Sequence, residues 1–448
     1  MKNRVALHNL GCKVNAYELD KIAGSLIARG YEIVPFSGDA DIYIVNTCTV
    51  TNIADRKSRQ MLHRAKKKNP QALVVAIGCY VDTDPDGTGK DPCIDIALGN
   101  RDKAALAEVL ETYAYADESA EQSACAHGRT GPDGYRSRTR AYLKIQDGCN
   151  LFCSYCVIPY ARGRSVSRSA DDVLCEAEEM AVQGVKEIVL TGIHLSSYGA
   201  DLDPEREDAL TGLILRINAL DGIGRIRLGS LEPRMITPQT VRAMRQADKL
   251  CPHFHLSLQS GCDAVLERMR RRYTTAEYAQ SVALLREAFD DPALTTDLIV
   301  GFPGETEAEF EESRAFVERT GFYETHVFPF SARKGTTAAK MDGQLTQREK
   351  ALRADVLIKM SARNAKAYRE RFVKQRISVL WEETETIAGK TYLTGHTERY
   401  VKAALPAGQA KTAGMTGIAV PDIRPGMVTE VTACGFLTDE ILLAEAGF

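Results

Sequence analysis

Residues Asp147 to Cys156 read Asp-Gly-Cys-Asn-Leu-Phe-Cys-Ser-Tyr-Cys, so Cys149, Cys153 and Cys156 form a CxxxCxxC array. Three thiolates on one tight loop suit three irons of a 4Fe-4S cube. The fourth iron then lacks a protein ligand, and an open metal position marks a catalytic site rather than a structural one. A zinc ion on this loop would want a fourth Cys or His, and none occurs in the next 15 residues. An electron passed from such a cluster to a molecule held at the open iron can break a carbon–sulfur bond and leave a carbon radical.

A second set of cysteines is dispersed. Cys12, Cys48 and Cys79 each directly follow a predicted strand, in Leu10-Gly-Cys12, Asn46-Thr-Cys48 and Ile77-Gly-Cys79. In a parallel sheet the C-terminal strand ends share one edge, where ligands bind. Gly11 and Gly78 allow close backbone approach there. Taken singly, each cysteine is also readable as a small buried hydrophobe; the shared placement favours a second cluster. Cys93, Cys125, Cys175, Cys251, Cys262 and Cys434 show no such pattern and read as structural or incidental, with Cys125 an exposed free thiol in a polar stretch.

Both sets need a scaffold. The chain has 448 residues, 44% hydrophobic and 26% charged, which describes a soluble globular protein of two to four domains. Short apolar runs alternate with amphipathic stretches, the pattern of an α/β architecture. Residues 1–115 read as an N-terminal parallel α/β domain. Its strands are Val5–Leu10, Ile42–Asn46, Leu73–Ile77 and Ile94–Leu98, with helices near Tyr17–Ala28 and Asp55–Lys67. Asp55 is placed to cap or charge-complement the second helix. Residues 116–140 are polar and read as a linker.

Residues 141–372 repeat strand then helix. The strands are Ala141–Gln146, Glu187–Leu190, Arg225–Leu228, His255–Leu258, Thr295–Val300 and His326–Phe330, and a long helix from Thr346 to about Phe372 closes the region. This suits a partial (β/α)6 barrel with its site at the C-terminal strand ends. Residues 373–448 carry only short β-like runs (Ile377–Trp381, Tyr392–Leu393, Arg399–Lys402, Met427–Ala433, Ile441–Ala444) and read as a small β-barrel.

No stretch approaches the roughly 20 apolar residues of a membrane span, and the first residues lack the apolar run of a signal peptide. The expectation is a cytoplasmic protein with no membrane partner, its twelve cysteines kept reduced. Net charge is −3, so any nucleic-acid contact must come from local basic patches. Candidates are Arg64-Ala-Lys-Lys-Lys68, Arg136-Ser-Arg-Thr-Arg140 and Arg268-Met-Arg-Arg-Arg272. Such runs are more often solvated faces.

The CxxxCxxC array resembles the radical S-adenosylmethionine (SAM) superfamily motif, in which an aromatic at the position of Tyr155 sits beside SAM. Over nearly the whole chain the sequence resembles the methylthiotransferases. The matching stretches are Leu10-Gly-Cys-Lys-Val-Asn15, Asn46-Thr-Cys-Thr-Val-Thr51, Gly78-Cys79, Asp147 to Arg164, Leu190-Thr-Gly192, Leu228-Gly-Ser-Leu-Glu-Pro233, His255-Leu-Ser-Leu-Gln-Ser-Gly261 and Thr296 to Thr306. The tail resembles that family's TRAM domain, an OB-like RNA-binding barrel.

The resemblance implies two 4Fe-4S clusters and SAM as both methyl donor and radical source. Cys149, Cys153 and Cys156 would hold the radical cluster, and Cys12, Cys48 and Cys79 the auxiliary cluster that carries or donates sulfur. Gly192, Glu232 and Gln259 would join Tyr155 in binding SAM. The implied partners are the tRNA anticodon loop, a reduced flavodoxin- or ferredoxin-type electron donor and a sulfur donor.

The family divides by substrate: isopentenyladenosine in tRNA, threonylcarbamoyladenosine in tRNA, or an aspartate of a ribosomal protein. The wording of Gly11-Cys-Lys-Val-Asn15 and Thr47 to Gln60 resembles the threonylcarbamoyladenosine branch. Lys13 is a candidate cation for that substrate's carboxylate, and a solvated lysine is the alternative. In the tail, Tyr392, His396, Tyr400, Lys402 and Arg424 are candidates for stacking and charge against an unpaired loop. A two-cluster electron carrier that does no chemistry on RNA is the competing class.

Overall fold

Every residue of Ile42–Thr47 and of Leu73–Gly78 is buried. A strand buried on both faces is what a parallel sheet between two helical layers requires. The computed structural model describes residues 4–117, 139–203, 208–407 and 423–446. Its chain divides into two compact units, one formed by Met1–Ser137, Gln146–Val166 and Ser331–Lys340, the other by Arg138–Ile145, Ser167–Phe330 and Met341–Phe448.

In the first unit the order is β1 (Arg4–Asn9), α1 (Lys13–Ala28), β2 (Glu32–Val34), β3 (Ile42–Thr47), α2 (Asn52–Lys68), β4 (Leu73–Gly78), α3 (Cys79–Thr83), α4 (Pro85–Lys90), β5 (Ile96–Leu98) and α5 (Leu106–Asp117). The strands pair in parallel as β2-β1-β3-β4-β5. Alternate side chains divide the core. Val5, Ile42, Ile44, Val75 and Ile77 meet Leu19, Ile22 and Leu26 of α1 and Leu106 and Leu110 of α5. Ala6, Tyr43, Val45, Val74 and Ala76 meet Leu62 and Ala65 of α2. Four elements escape the sequence pattern: β2, α3, α4 and α5. Helix α2 starts three residues before its expected position: Thr51, not Asp55, caps it by accepting from the Ala54 amide. The same unit holds β7 (Gln146–Asp147) and α6 (Ile158–Arg162), which flank the CxxxCxxC loop.

The second unit contains β6 (Arg140–Lys144), α7 (Ala170–Val182), β9 (Glu187–Thr191), α8 (Ala209–Asn218), β10 (Arg225–Leu228), β11 (Ser230–Leu231), α9 (Pro238–Met244), β12 (His253–Leu256), α10 (Asp263–Arg268), α11 (Thr275–Ala288), β13 (Ala293–Val300), α12 (Glu307–Thr320), β14 (Glu324–Pro329) and α13 (Gln347–Glu370); β8 (Val166–Ser167) lies where the chain re-enters it. Parallel sheets β10-β9-β6 and β11-β12-β13-β14 continue one another through Gly229, so six strand positions form a partial barrel as expected. Its outer face packs on helices, with the Tyr278 hydroxyl of α11 donating to Leu256 O.

The tail of this unit is a closed barrel, β15 (Arg376–Ile387), β16 (Lys390–Thr397), β17 (Lys402–Pro406), β18 (Val428–Thr438) and β19 (Ile441–Glu445), in the order β15-β16-β17-β19-β18. Trp381, fully buried, fills its core and donates to Thr429 Oγ1 at 2.8 Å. The linker expected at 116–140 lies almost wholly outside the described residues, as does Cys125.

Candidate active site

The C-terminal ends of β1, β3 and β4 lie side by side, and each releases one cysteine. Cys12 is the N-cap of α1, Cys48 follows Thr47, and Cys79 opens α3. The backbone is drawn tight around them. Gly11 has φ +112°, and a Cβ there would lie 3.1 Å from Cys48 Sγ. Gly78 has φ +96°, and its Cβ would lie 2.7 Å from Asn46 Oδ1. Burial pushes the Cys48 thiol up to about 11, with Cys79 and Cys12 adding to the shift. Such thiols stay protonated unless a cationic centre takes them as thiolates. Asn100 Nδ2 donates to Cys79 Sγ at 3.5 Å, the kind of hydrogen bond that a cluster thiolate accepts. The donor set therefore fits an iron–sulfur cluster.

The CxxxCxxC loop is held from below and behind. Gln146 Nε2 donates to Asp147 O, Gly148 O and Ser165 Oγ at 2.8, 2.7 and 2.9 Å. The Cys149 amide donates to Gly163 O at 3.1 Å, and Gly148 sits so close to this return strand that a Cβ would lie 2.0 Å from Arg164 O. The Leu151 amide donates to Cys149 Sγ at 3.5 Å. Cys149 and Cys153 are buried and Cys156 is half-buried. Tyr155 is also half-buried, in the turn between them. This set, too, fits a cluster.

A buried charged node joins the two cysteine sets within the first unit. Arg162, from α6, has 1% of its side chain exposed. Its fork donates to Glu18 Oε1 and Oε2 at 3.1 Å each, to Asp147 Oδ1 at 3.0 Å, and to Asn15 Oδ1 at 2.5 Å. Asn15 in turn donates to Leu10 O and Thr47 O, beside Cys12 and Cys48. Asp147 lies two residues before Cys149. Lys103 also pairs with Glu18 and donates to Asn100 Oδ1 at 2.7 Å. Burial opposes the charge on Arg162, but Cys79, Glu18 and Asp147 outweigh it and raise its pKa well above the ordinary range. A second tie is the segment Ser331–Lys340. Arg333 donates to Thr49 Oγ1 at 2.7 Å and Asp55 Oδ2 at 2.6 Å beside Cys48, while the Ala338 amide donates to Ser154 O inside the CxxxCxxC loop.

In the second unit, the C-terminal strand ends present Gly192 after β9, Glu232 after β11 and Gln259 after β12. Burial alone would raise the Glu232 carboxyl, but His194 at 3.1 Å and Arg271 at 3.5 Å hold it below the usual range. Gln259 has φ +69°, and its amide donates to Asp297 O. Lower in the barrel, His255 Nε2 lies 3.3 Å from Asp297 Oδ2, and the His255 and His326 rings stack at 5.9 Å. At the opposite end, Arg227 pairs with Glu187 and Arg140 with Glu382, and Tyr400 stacks on His396 and lies under both guanidinium groups.

Residues 143–317 match the radical SAM superfamily, and residues 4–99 match a family described as uncharacterized protein family UPF0004. The threonylcarbamoyladenosine tRNA methylthiotransferase MtaB of Bacillus subtilis is 39% identical over 405 residues, 89% of each chain. The MtaB of Aquifex aeolicus is 36% identical, over 89% of this chain and 97% of its own. The chain belongs to the radical SAM methylthiotransferases. A tRNA-2-methylthio-N(6)-dimethylallyladenosine synthase of Moorella thermoacetica is 36% identical over 85% of this chain and 88% of its own. The radical SAM methyltransferase TsrM of Kitasatospora setae, solved with cobalamin and a [4Fe-4S] cluster, shares the fold at TM-score 0.53 and 18% identity, covering 73% of this chain and 75% of its own.

For this methylthiotransferase the structure gathers Cys12, Cys48 and Cys79 at one sheet edge and sets Cys149, Cys153 and Cys156 on one loop. Lys13 is exposed on the first turn of α1, next to Cys12. Of the tail residues expected to face RNA, Arg424 is exposed and the other four are engaged within the unit. Tyr392 is buried, Lys402 is paired with Glu385 at 2.7 Å, and His396 and Tyr400 pack against the partial barrel. The aromatic signal there, from Tyr392, His396 and Tyr400, marks a packing layer. Arg162, Lys103, Asn100 and Arg333 were missed as site residues. Arg162 lies inside a recognised motif, but its partners are far away in sequence.

Proposed function

We propose that this methylthiotransferase converts N6-threonylcarbamoyladenosine at position 37 of tRNA to its 2-methylthio derivative. The observation that carries the reading is the likeness, over 89% of the chain, to two threonylcarbamoyladenosine tRNA methylthiotransferases at 39% and 36% identity; the two three-cysteine sets of one compact unit, joined through Arg162, support the chemistry. Cys149, Cys153 and Cys156 would hold the radical cluster, and Cys12, Cys48 and Cys79 the auxiliary one. When bound, the clusters and SAM supply an electron, a carbon radical and a methylthio group. The substrate carbon, C2 of adenine, bears a hydrogen that no ordinary base removes, which is why radical chemistry suits it.

The chain's own residues position and insulate. Gln146, Gly148 and Gly163 fix the radical loop. Arg162 and Lys103 place positive charge behind the auxiliary cysteines, and Asn100 donates to one of them. Tyr155, Gly192, Glu232 and Gln259 remain the SAM-binding candidates on the strength of their motifs. His255, Asp297 and His326 form one polar cluster on neighbouring strands β12, β13 and β14, a candidate for contact with the flipped-out base. Lys13 is the candidate for the substrate carboxylate. A reduced flavodoxin- or ferredoxin-type donor and a separate sulfur donor complete the cycle in the cytoplasm. Among the described residues no helix is long and apolar enough to cross a membrane.

The test is mass spectrometry of nucleosides from total tRNA with and without the gene. Loss of 2-methylthio-threonylcarbamoyladenosine with accumulation of its precursor is expected. Loss of the methylthio-isopentenyladenosine instead would move the chain to the other tRNA branch, and an unchanged tRNA pool would point to the ribosomal-protein aspartate.

A further inference from the structure

Three basic runs stand out in the sequence, and the structure separates them. In the run at 136–140, the described Arg140 is spent on Glu187 and Glu382. In the run at 268–272, Arg268 pairs with Glu309 and Arg271 with Glu232, which leaves two exposed arginines, Arg270 and Arg272. Helix α2 differs. Its buried side is Ser58, Leu62 and Ala65, and the opposite side carries Arg56, Lys57, Arg59, Gln60, His63, Arg64 and Lys67, all exposed. Among the described residues no ion pair engages Arg56, Lys57, Arg59, Arg64 or Lys67. Arg56, Arg59, Gln60, His63, Arg64 and Lys67 line a shallow groove of about 470 Å³.

The helix is also fixed to the auxiliary cysteine site. Thr51, its cap, lies three residues after Cys48. Ser58 Oγ accepts from the Cys48 amide at 3.3 Å and donates to Cys48 O at 3.1 Å. From Arg56 to Lys67 the stripe runs roughly 17 Å at the helical rise per residue. A line of unpaired cations leading away from Cys48 complements a polyanion whose reacting base must reach that cysteine.

We propose that the exposed face of α2, centred on Arg59, Arg64 and Lys67, is a phosphate-binding rail that seats the tRNA backbone beside the modified nucleotide. The proposal rests on tRNA as the substrate. An acidic electron-donor protein is the other polyanion with a claim on this face. The extended stripe favours nucleic acid, because a backbone needs a line of cations and not a compact patch.

The test uses reconstituted holoenzyme and an anticodon stem–loop bearing threonylcarbamoyladenosine, with binding measured across a salt series. R59E/R64E/K67E is expected to weaken binding at least tenfold near 0.1 M salt and to flatten the log–log salt slope by roughly 2. The milder R59Q/R64Q/K67Q should lose about half of that effect. Iron content and SAM cleavage without RNA should match the wild type in both. If the wild type itself does not bind the stem–loop, the substrate reading fails. If the wild type binds and both variants bind within twofold of it with the same salt slope, the rail is overturned. The rail is equally overturned if RNA binding is kept and only reduction by a flavodoxin-type protein slows.

Discussion

Arg162 and Arg227 sit in nearly the same physical setting. Each has 1% of its side chain exposed, and each holds a glutamate, Glu18 or Glu187, with both prongs of its fork. What lies on the far side differs. Arg162 reaches Asp147 and Asn15, which lead to cysteines of both sets. Arg227 donates to Glu398 O and Thr397 O and lies over Tyr400, all three in the tail. A buried ion pair is therefore not in itself a functional sign. Its role follows from what its other hydrogen bonds hold in place.

That contrast is open to test, and the largest effect is expected at Arg162. Arg162→Gln leaves Glu18 and Asp147 short of their partner, a loss of about 3–5 kcal/mol. Iron should fall and methylthiolation should vanish. Arg162→Lys keeps the charge and should restore iron, with an altered reduction potential at the auxiliary cluster. Full iron and unchanged potentials in Arg162→Gln, by iron assay and redox-monitored electron paramagnetic resonance, would break the comparison. Arg227→Gln should cost a similar 3–5 kcal/mol, but in the second unit. Trp381 is the only tryptophan of the chain, buried in the tail barrel, so its fluorescence reports that loss directly. Iron content and SAM cleavage should stay within twofold.

A smaller effect is expected at Gly78. Gly78→Ala sets a Cβ against Asn46 Oδ1 on a left-handed backbone, about 1–3 kcal/mol. It should loosen the auxiliary cluster while leaving the radical cluster intact, as iron counts per chain would show. The smallest effect concerns acid. Burial opposes ionisation of Glu187 and Glu382, but Arg227 and Arg140 for the first, and His396 and Arg140 for the second, hold both below the ordinary value of 4.5. Their stabilisation is fully present above that value and is lost as pH falls through the depressed folded values. The Trp381 transition should shift to lower urea as pH drops below about 4.5, and Glu187→Gln should blunt the shift.

The two cysteine sets show why some of this was readable from sequence. Cys149, Cys153 and Cys156 lie within eight residues, so spacing alone announces them. Cys12, Cys48 and Cys79 are far apart, but each follows a strand, and parallel order brings strand ends together. Lys103 had no such signal, because its partner Glu18 is 85 residues away on another element. Arg162 is 144 residues from the same glutamate. In the tail the sequence showed aromatic and basic side chains but not their burial, so Tyr392, His396 and Tyr400 read as an RNA surface when they are packing. The six barrel strands were legible because apolar runs and intervening helices repeat regularly.

The partial barrel ends in two strands, β6 and β14, each paired on one side only among the described residues. On β14 the inward-facing His326 and Phe328 are exposed, with Phe328 44% accessible. An open barrel, unlike a closed one, leaves each end strand with a row of backbone N–H and C=O groups that no neighbouring strand of the barrel takes up.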